Sequence, residues 1–249
     1  MQRYFVDGNR INNNNITIDG DDAKHIIKVM RSEIGDKVIC VSPEGDNYIT
    51  EIINFDKNQV KLTVVEQIQD DNEPTINITL YQGLTKADKF EWIIQKGTEI
   101  GITSFVPVEM KYSVAKWDAS KGEKKLERWQ KIAKEAAEQS HRSKVPAISS
   151  ALTFPQLLKS VSKHSLTMLA YEKSEHSQGI FALLKQHPEI KDFAIIIGPE
   201  GGVSEQEKLQ AVNAGVKLIN LGPRILRTET AGIVAATGVL FYHQQLGES

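Results

Sequence analysis

The chain has 249 residues, 40% of them hydrophobic and 25% charged, with a net charge of −2. That size and balance fit one large domain with a full core plus a small companion, and exclude dominant disorder or a positive coat for indiscriminate nucleic-acid binding. The single cysteine, Cys40, excludes an internal disulfide or multi-cysteine metal site, and no membrane-length apolar run or signal-peptide core is present, so a soluble, metal-free cytoplasmic protein is expected.

From Arg3 to about Gln69 the pattern is short and β-rich: Arg3 to Val6, Ile16 to Ile18, Lys37 to Val41, Tyr48 to Phe55 and Gln59 to Val65 cluster β-formers between turn signals. Asp46-Asn47 and Lys57-Asn58 read as hairpin turns. One helix is predicted over Asp21 to Arg31, with Ala23, Ile27 and Met30 on an apolar face and Lys24, Lys28 and Arg31 in a basic stripe. The acidic, proline-ended stretch Asp70 to Pro74 is the best linker candidate, dividing the chain into domains 1–72 and 73–249.

Beyond it, strand and helix alternate. A strand at Ile76 to Gln82 precedes a helix from about Ala87 to Ile100, a strand at Ser104 to Val108 and a long helix over Lys121 to His141. Residues 121–144 hold eight Lys or Arg against four Glu, a surplus that suits either RNA or a solvated helix face laced with ion pairs. Strands at Thr167 to Tyr171, Phe193 to Ile197 and Lys217 to Leu221 follow, with helices at about Gln178 to Gln186 and Glu205 to Asn213. Ser204 and Glu207 form a capping-box pattern at the start of the second of these helices. The last helix, about Thr230 to Gln245, is apolar or small almost all round and must be buried, against the sheet and against a second subunit. Such alternation means an α/β fold with a mostly parallel sheet covered by helices.

Two strands end in glycine loops, IGPEGG (Ile197 to Gly202) and LGPRILRTETA (Leu221 to Ala231). Side by side at the carboxyl ends of neighbouring parallel strands, they would expose main-chain groups where open α/β sheets bind nucleotide-like ligands. Neither is GxGxxG or a P-loop, which disfavours dinucleotide and ATP binding. A lone IGPEGG would be only a strand-to-helix turn. The second loop adds Arg224, Arg227 and Glu229, more polar chemistry than a turn requires.

These two loops, with EAAEQSHRSKVP (Glu135 to Pro146) and the initial RYF (Arg3 to Phe5), resemble the RsmE family of ribosomal RNA uridine methyltransferases in the SPOUT superfamily. The resemblance spans essentially the whole chain, matching loosely at Ala115 to Glu123 and Lys159 to Ser165. It implies a small PUA-like N-terminal β-barrel domain that binds RNA, a knotted methyltransferase domain and a homodimer. The implied reaction methylates N3 of a uridine in 16S ribosomal RNA with S-adenosylmethionine. Carried over by position, the cofactor pocket falls on Leu169, Tyr171 and Glu172; on Ile197, Gly198, Pro199, Glu200, Gly201 and Gly202; and on Leu221, Gly222, Ile225, Leu226 and Thr230.

The uridine imino group is protonated at neutral pH, so its attack on a methyl donor needs proton removal and stabilisation of the flanking carbonyl oxygens. Glu229 is the candidate base and Arg227 the candidate stabilising or loop-ordering group; the alternatives are a first-turn carboxylate favoured by the helix dipole and a salt-bridged arginine. Alignment without a strong base is a competing mechanism, and Glu200 is a second carboxylate candidate that reads more readily as a loop-tip cap on the amides of Gly201 and Gly202. Arg3, Lys28, Arg31 and Arg142 are the candidate RNA-phosphate contacts. Tyr4, Tyr112 and Trp117 are stacking candidates, although aromatics beside apolar runs are more often core; His25 and His141 lack partners at ligand spacing. The other class of function on this scaffold is a non-catalytic RNA-binding or ribosome assembly factor.

Overall fold

The computed structural model describes residues 1–12, 14–69, 72–171 and 177–247. The chain divides into two compact units, one of residues 1–73 with 137–144, the other of 74–136 with 145–249.

The first unit is built on a curled six-stranded sheet. In chain order its strands are β1 (Arg3–Phe5), β2 (Ile11–Asn12), β3 (Asn15–Ile18), β4 (Lys37–Val41), β5 (Asn47–Asp56) and β6 (Gln59–Ile68), arranged β1-β4-β5-β6-β3-β2. Only β1 and β4 run parallel; the others pair antiparallel. Lys57-Asn58 turns the β5–β6 hairpin as the sequence predicts, with Lys57 at a φ of 36°. Asp46-Asn47 does not form a turn by itself. Asn47 already pairs with Val41, and the connection is Ser42 to Asp46.

The predicted helix over Asp21 to Arg31 is only partly regular. It runs as α1 (Gly20–Lys24) and then widens into i→i+5 bonding over His25–Met30, ending at Arg31 with a φ of 53°. Widening rotates the apolar face away from helical spacing. Ala23 and Ile26 are therefore buried, Ile27 only partly, while Val29 and Met30 are exposed. Cys40 lies in this core, and burial pushes its thiol up to about 12, which makes it an inert side chain.

The second unit contains β7 (Asn77–Gly83), α2 (Ala87–Ile100), β8 (Ser104–Glu109), α3 (Ala119–Gln139), β9 (Ala147–Ile148), β10 (Leu152–Thr153), α4 (Phe154–Ser160), β11 (Leu166–Ala170), β12 (Gln178–Gly179), α5 (Ile180–Lys185), β13 (Asp192–Ile197), α6 (Glu205–Asn213), β14 (Lys217–Asn220) and α7 (Thr228–Tyr242). Its sheet is parallel throughout, in the order β10-β8-β7-β13-β11-β14-β12, with β9 beside β8. Phe193, Ala194, Ile195 and Ile196 of β13 are fully buried, alternating between two apolar clusters on opposite faces of the sheet. Both faces are therefore covered, as uninterrupted apolar strands require. The strands carrying the two glycine loops are not neighbours: β11 lies between β13 and β14. Strand periodicity encodes which face is buried, not which strand stands alongside.

The last helix buries Ala231, Gly232, Ala235, Ala236, Val239 and Leu240, but leaves Val234 and Phe241 exposed. Just past it, His243 packs 5.2 Å from the Phe193 ring, and burial, helped by Lys191, lowers its pKa from 6.5. A depressed folded value means the unfolded chain binds the proton more readily. The stability from neutral His243 is thus complete above the ordinary imidazole value and is lost as pH falls through the lower folded one. Melting temperature measured from about pH 8 to 5 is expected to fall more steeply for the native chain than for His243→Gln.

Candidate functional site

A cleft of about 760 Å³ opens at the carboxyl ends of β11, β13 and β14. Ala170 ends β11 and Tyr171 follows it, residues 197–205 lead from β13 into α6, and residues 219–229 lead from β14 into α7. Of the pocket residues implied by sequence, Tyr171, Ile197, Gly198, Pro199, Glu200, Gly201, Gly202, Leu221, Gly222, Ile225 and Leu226 line it. Leu169 does not; its side chain is fully buried in the core below, because it stands inside the ladder between Ile196 and Leu218. Thr230 is half-buried and stands off the wall, on the first turn of α7, and Glu172 lies outside the described residues.

The cradle is made of main chain held at close quarters. A Cβ on Gly83, at the end of β7, would stand 2.4 Å from the Pro199 nitrogen, and one on Gly201 would stand 2.6 Å from Cβ of Tyr112. Gly202 and Gly222 hold φ of 77° and 102°, left-handed conformations that favour glycine. The predicted capping box is formed: Glu207 Oε2 accepts from the Ser204 amide and hydroxyl, and Ser204 Oγ accepts from the Glu207 amide. Glu207 also accepts through Oε1 from the Lys111 amide at 2.8 Å, which fixes Tyr112, half exposed, against the IGPEGG loop. Tyr112 therefore forms part of the cleft wall.

Thr228 links the two glycine loops. Its hydroxyl donates to the Gly198 carbonyl at 2.5 Å and accepts from Gln82 Nε2 at 2.8 Å. Thr228→Val removes both bonds and takes the hydroxyl donor from the part-buried Gly198 carbonyl. Denaturant unfolding is expected to show a loss of about 1–3 kcal/mol.

Glu229, in the first turn of α7, lines the cleft with its side chain 16% exposed, and Glu200 stands across from it. Between them is Lys89 of α2, its Nζ 3.2 Å from Glu200 Oε1 and 3.7 Å from Glu229 Oε2. Glu229 Oε2 is buried and accepts no hydrogen bond among the described residues. Arg227 and Arg224 are exposed on the same rim. Glu200 thus pairs with a lysine rather than serving only as an amide cap. Lys89 escaped sequence reasoning because a lysine on the polar side of an amphipathic helix looks like ordinary solvated charge.

The candidate RNA contacts fare differently. Arg3 and Arg142 are 2% and 3% exposed. Arg3 donates to Asn47 Oδ1, the Arg142 carbonyl and Ser143 Oγ, while Arg142 forks onto the Glu73 carboxylate. Their guanidinium groups hold the first unit together and would have to abandon buried partners to reach a phosphate. Lys28 and Arg31 are exposed. Tyr4 is core, bonded to His25 Nδ1 at 2.9 Å, and Trp117 packs against Trp129.

Residues 71–240 match the RNA methyltransferase domain family, and residues 18–65 match the RNA methyltransferase PUA domain. A ribosomal RNA small subunit methyltransferase E from Bacillus subtilis is 38% identical over 99% of this chain and 98% of its own. The chain belongs to the ribosomal RNA small subunit methyltransferase E family. A Legionella pneumophila methyltransferase solved with the cofactor SAM is 26% identical with a TM-score of 0.86, covering 96% of each chain. A family member from Neisseria gonorrhoeae bound to S-adenosyl methionine is 25% identical with a TM-score of 0.83, covering 97% of each. Among the described residues no helix is long and apolar enough to cross a membrane, and no group of three His, Cys, Asp or Glu could hold a metal ion.

Proposed function

We propose that this protein methylates N3 of a uridine in 16S ribosomal RNA, using S-adenosylmethionine bound in the three-loop cleft. Methylation of small-subunit ribosomal RNA with this donor is the family's activity; the finer assignment, N3 of uridine, is supported chiefly by the pairing of a main-chain cradle with the Lys89–Glu229 wall. Main-chain amides and carbonyls suit an adenosine that carries no phosphate, and the carboxylates of Glu200 and Glu205 suit a sulfonium cation. When bound, the cofactor supplies an electrophilic methyl group. The chain's own residues must orient the uracil, exclude water and take the N3 proton, and the Glu229 carboxylate, whose Oε2 has no hydrogen-bond donor, is the proposed acceptor for that proton. Arg227, exposed on the rim, is the group we assign to offset charge on the uracil oxygens.

Lys28 and Arg31, within or beside the PUA-matching stretch, are the proposed phosphate contacts on the first unit. A homodimer built on the exposed Val234 and Phe241 of α7, a knotted carboxy-terminal chain and a cytoplasmic location belong to the same reading. A non-catalytic assembly factor would have no use for a buried carboxylate oxygen with no donor in a glycine-walled cleft. The test is incubation with methyl-labelled S-adenosylmethionine and small ribosomal subunits lacking the modification, followed by nucleoside mass spectrometry. Label in 3-methyluridine is expected; label on another base, or none, refutes the assignment.

A further inference from the structure

Lys89 stands where helix electrostatics disfavour it. It is the third residue of α2, in the turn where the dipole repels a cation, and its side chain is only 28% exposed. Two carboxylates offset that cost, Glu200 at 3.2 Å and Glu229 at 3.7 Å. A lysine used only to neutralise Glu229 would sit within hydrogen-bond reach of it. Here the ammonium ion-pairs with Glu200 at 3.2 Å and more loosely with Glu229 at 3.7 Å, leaving Glu229 Oε2 without a hydrogen-bond donor and N–H groups of the ammonium beside it.

The result is a cation donor and a carboxylate acceptor side by side on one wall of the cleft. We propose that Lys89 and Glu229 together read the imide edge of the target base, the Glu229 carboxylate accepting from N3–H and Lys89 Nζ donating to the O4 carbonyl oxygen. The inference rests on the uridine assignment above. Uracil presents acceptor, donor, acceptor along this edge. Cytosine presents a bare ring nitrogen to the carboxylate and an amino group to the ammonium, so both contacts turn repulsive. The same ammonium stabilises negative charge on the carbonyl oxygen as the N3 proton leaves for Glu229 and N3 takes the methyl group. Lys89 is thus a specificity-determining and catalytic residue.

Lys89→Met and Lys89→Arg test this beside the native protein, with melting temperature and calorimetric S-adenosylmethionine affinity as controls. Reconstituted small subunits carrying either uridine or cytidine at the methylated position serve as probes. Lys89→Met is expected to slow single-turnover transfer by about a hundredfold with cofactor affinity unchanged, and Lys89→Arg to recover part of the rate. The native protein is expected to bind the uridine subunit about tenfold or more tightly than the cytidine one, a preference that Lys89→Met narrows while Glu229 keeps its share. Transfer within about threefold of native, an unchanged uridine preference, or a matching loss of cofactor affinity in Lys89→Met overturns the proposal. If the native protein makes 3-methyluridine and Lys89→Met is indifferent, the imide-reading role alone falls. If the native protein methylates a different atom, the uridine assignment falls with it.

Discussion

Glu229→Gln is expected to lower single-turnover methyl transfer by about 10²- to 10⁴-fold while S-adenosylmethionine affinity and melting temperature stay near native. Glutamine keeps the shape of the side chain but removes the basic oxygen that lies buried without a donor. The amide oxygen can still accept a hydrogen bond from N3–H, but it is far too weak a base to take the proton. A lost salt bridge alone would cost far less, because Lys89 keeps Glu200 at 3.2 Å. Rapid-quench transfer under saturating subunit concentrations separates this effect from binding. Undiminished transfer by Glu229→Gln removes the carboxylate from the proton's path and leaves alignment as the source of acceleration.

The second large effect is steric. Gly83→Ala places a methyl group 2.4 Å from the Pro199 nitrogen, 2.6 Å from Pro199 Cδ and 2.8 Å from the Gly198 carbonyl carbon. Backbone and a proline ring cannot rotate out of the way, so β7 and the IGPEGG loop must move apart. Overpacking of this kind costs about 1–3 kcal/mol of stability. Moving that loop also pulls the Gly198 carbonyl away from Thr228, so a loss of cofactor affinity should accompany the loss of stability. Calorimetric titration and denaturant unfolding of the same variant are the paired measurements. Native affinity in a destabilised Gly83→Ala would show that the loop's place against β7 does not shape the pocket.

Much of the second unit was legible because its elements carry strong periodic signals. The helix over Ala87 to Ile100 falls where its apolar spacing puts it, and the capping box at Ser204 fixes the start of α6. α4 carried a readable signal too, a Thr153–Gln156 capping box with Pro155 in the first turn, but at seven residues it is too short for periodicity to register. The insertion of β11 between β13 and β14 was not legible, since each strand is apolar on both faces and offers no mark of its neighbour.

At the site, the glycine loops were readable because glycine with proline after a strand signals special backbone. Lys89 was not, because its role depends on a helix far away in sequence arriving at the same wall, and Tyr112 read only as a stacking candidate of a kind that is more often core. Arg3 and Arg142 misled for the opposite reason. A cation reads as surface until its partners, here Asn47, Ser143 and Glu73, are seen to enclose it.

The account turns on where the methyl donor sits, and a crystal structure of the full chain with S-adenosylmethionine is the most direct check. It should place the adenine against main-chain atoms of the loops after β13 and β14, with the sulfonium methyl facing the wall formed by Lys89 and Glu229. Cofactor bound elsewhere, or held in the cleft with its methyl group turned away from that wall, would contradict it.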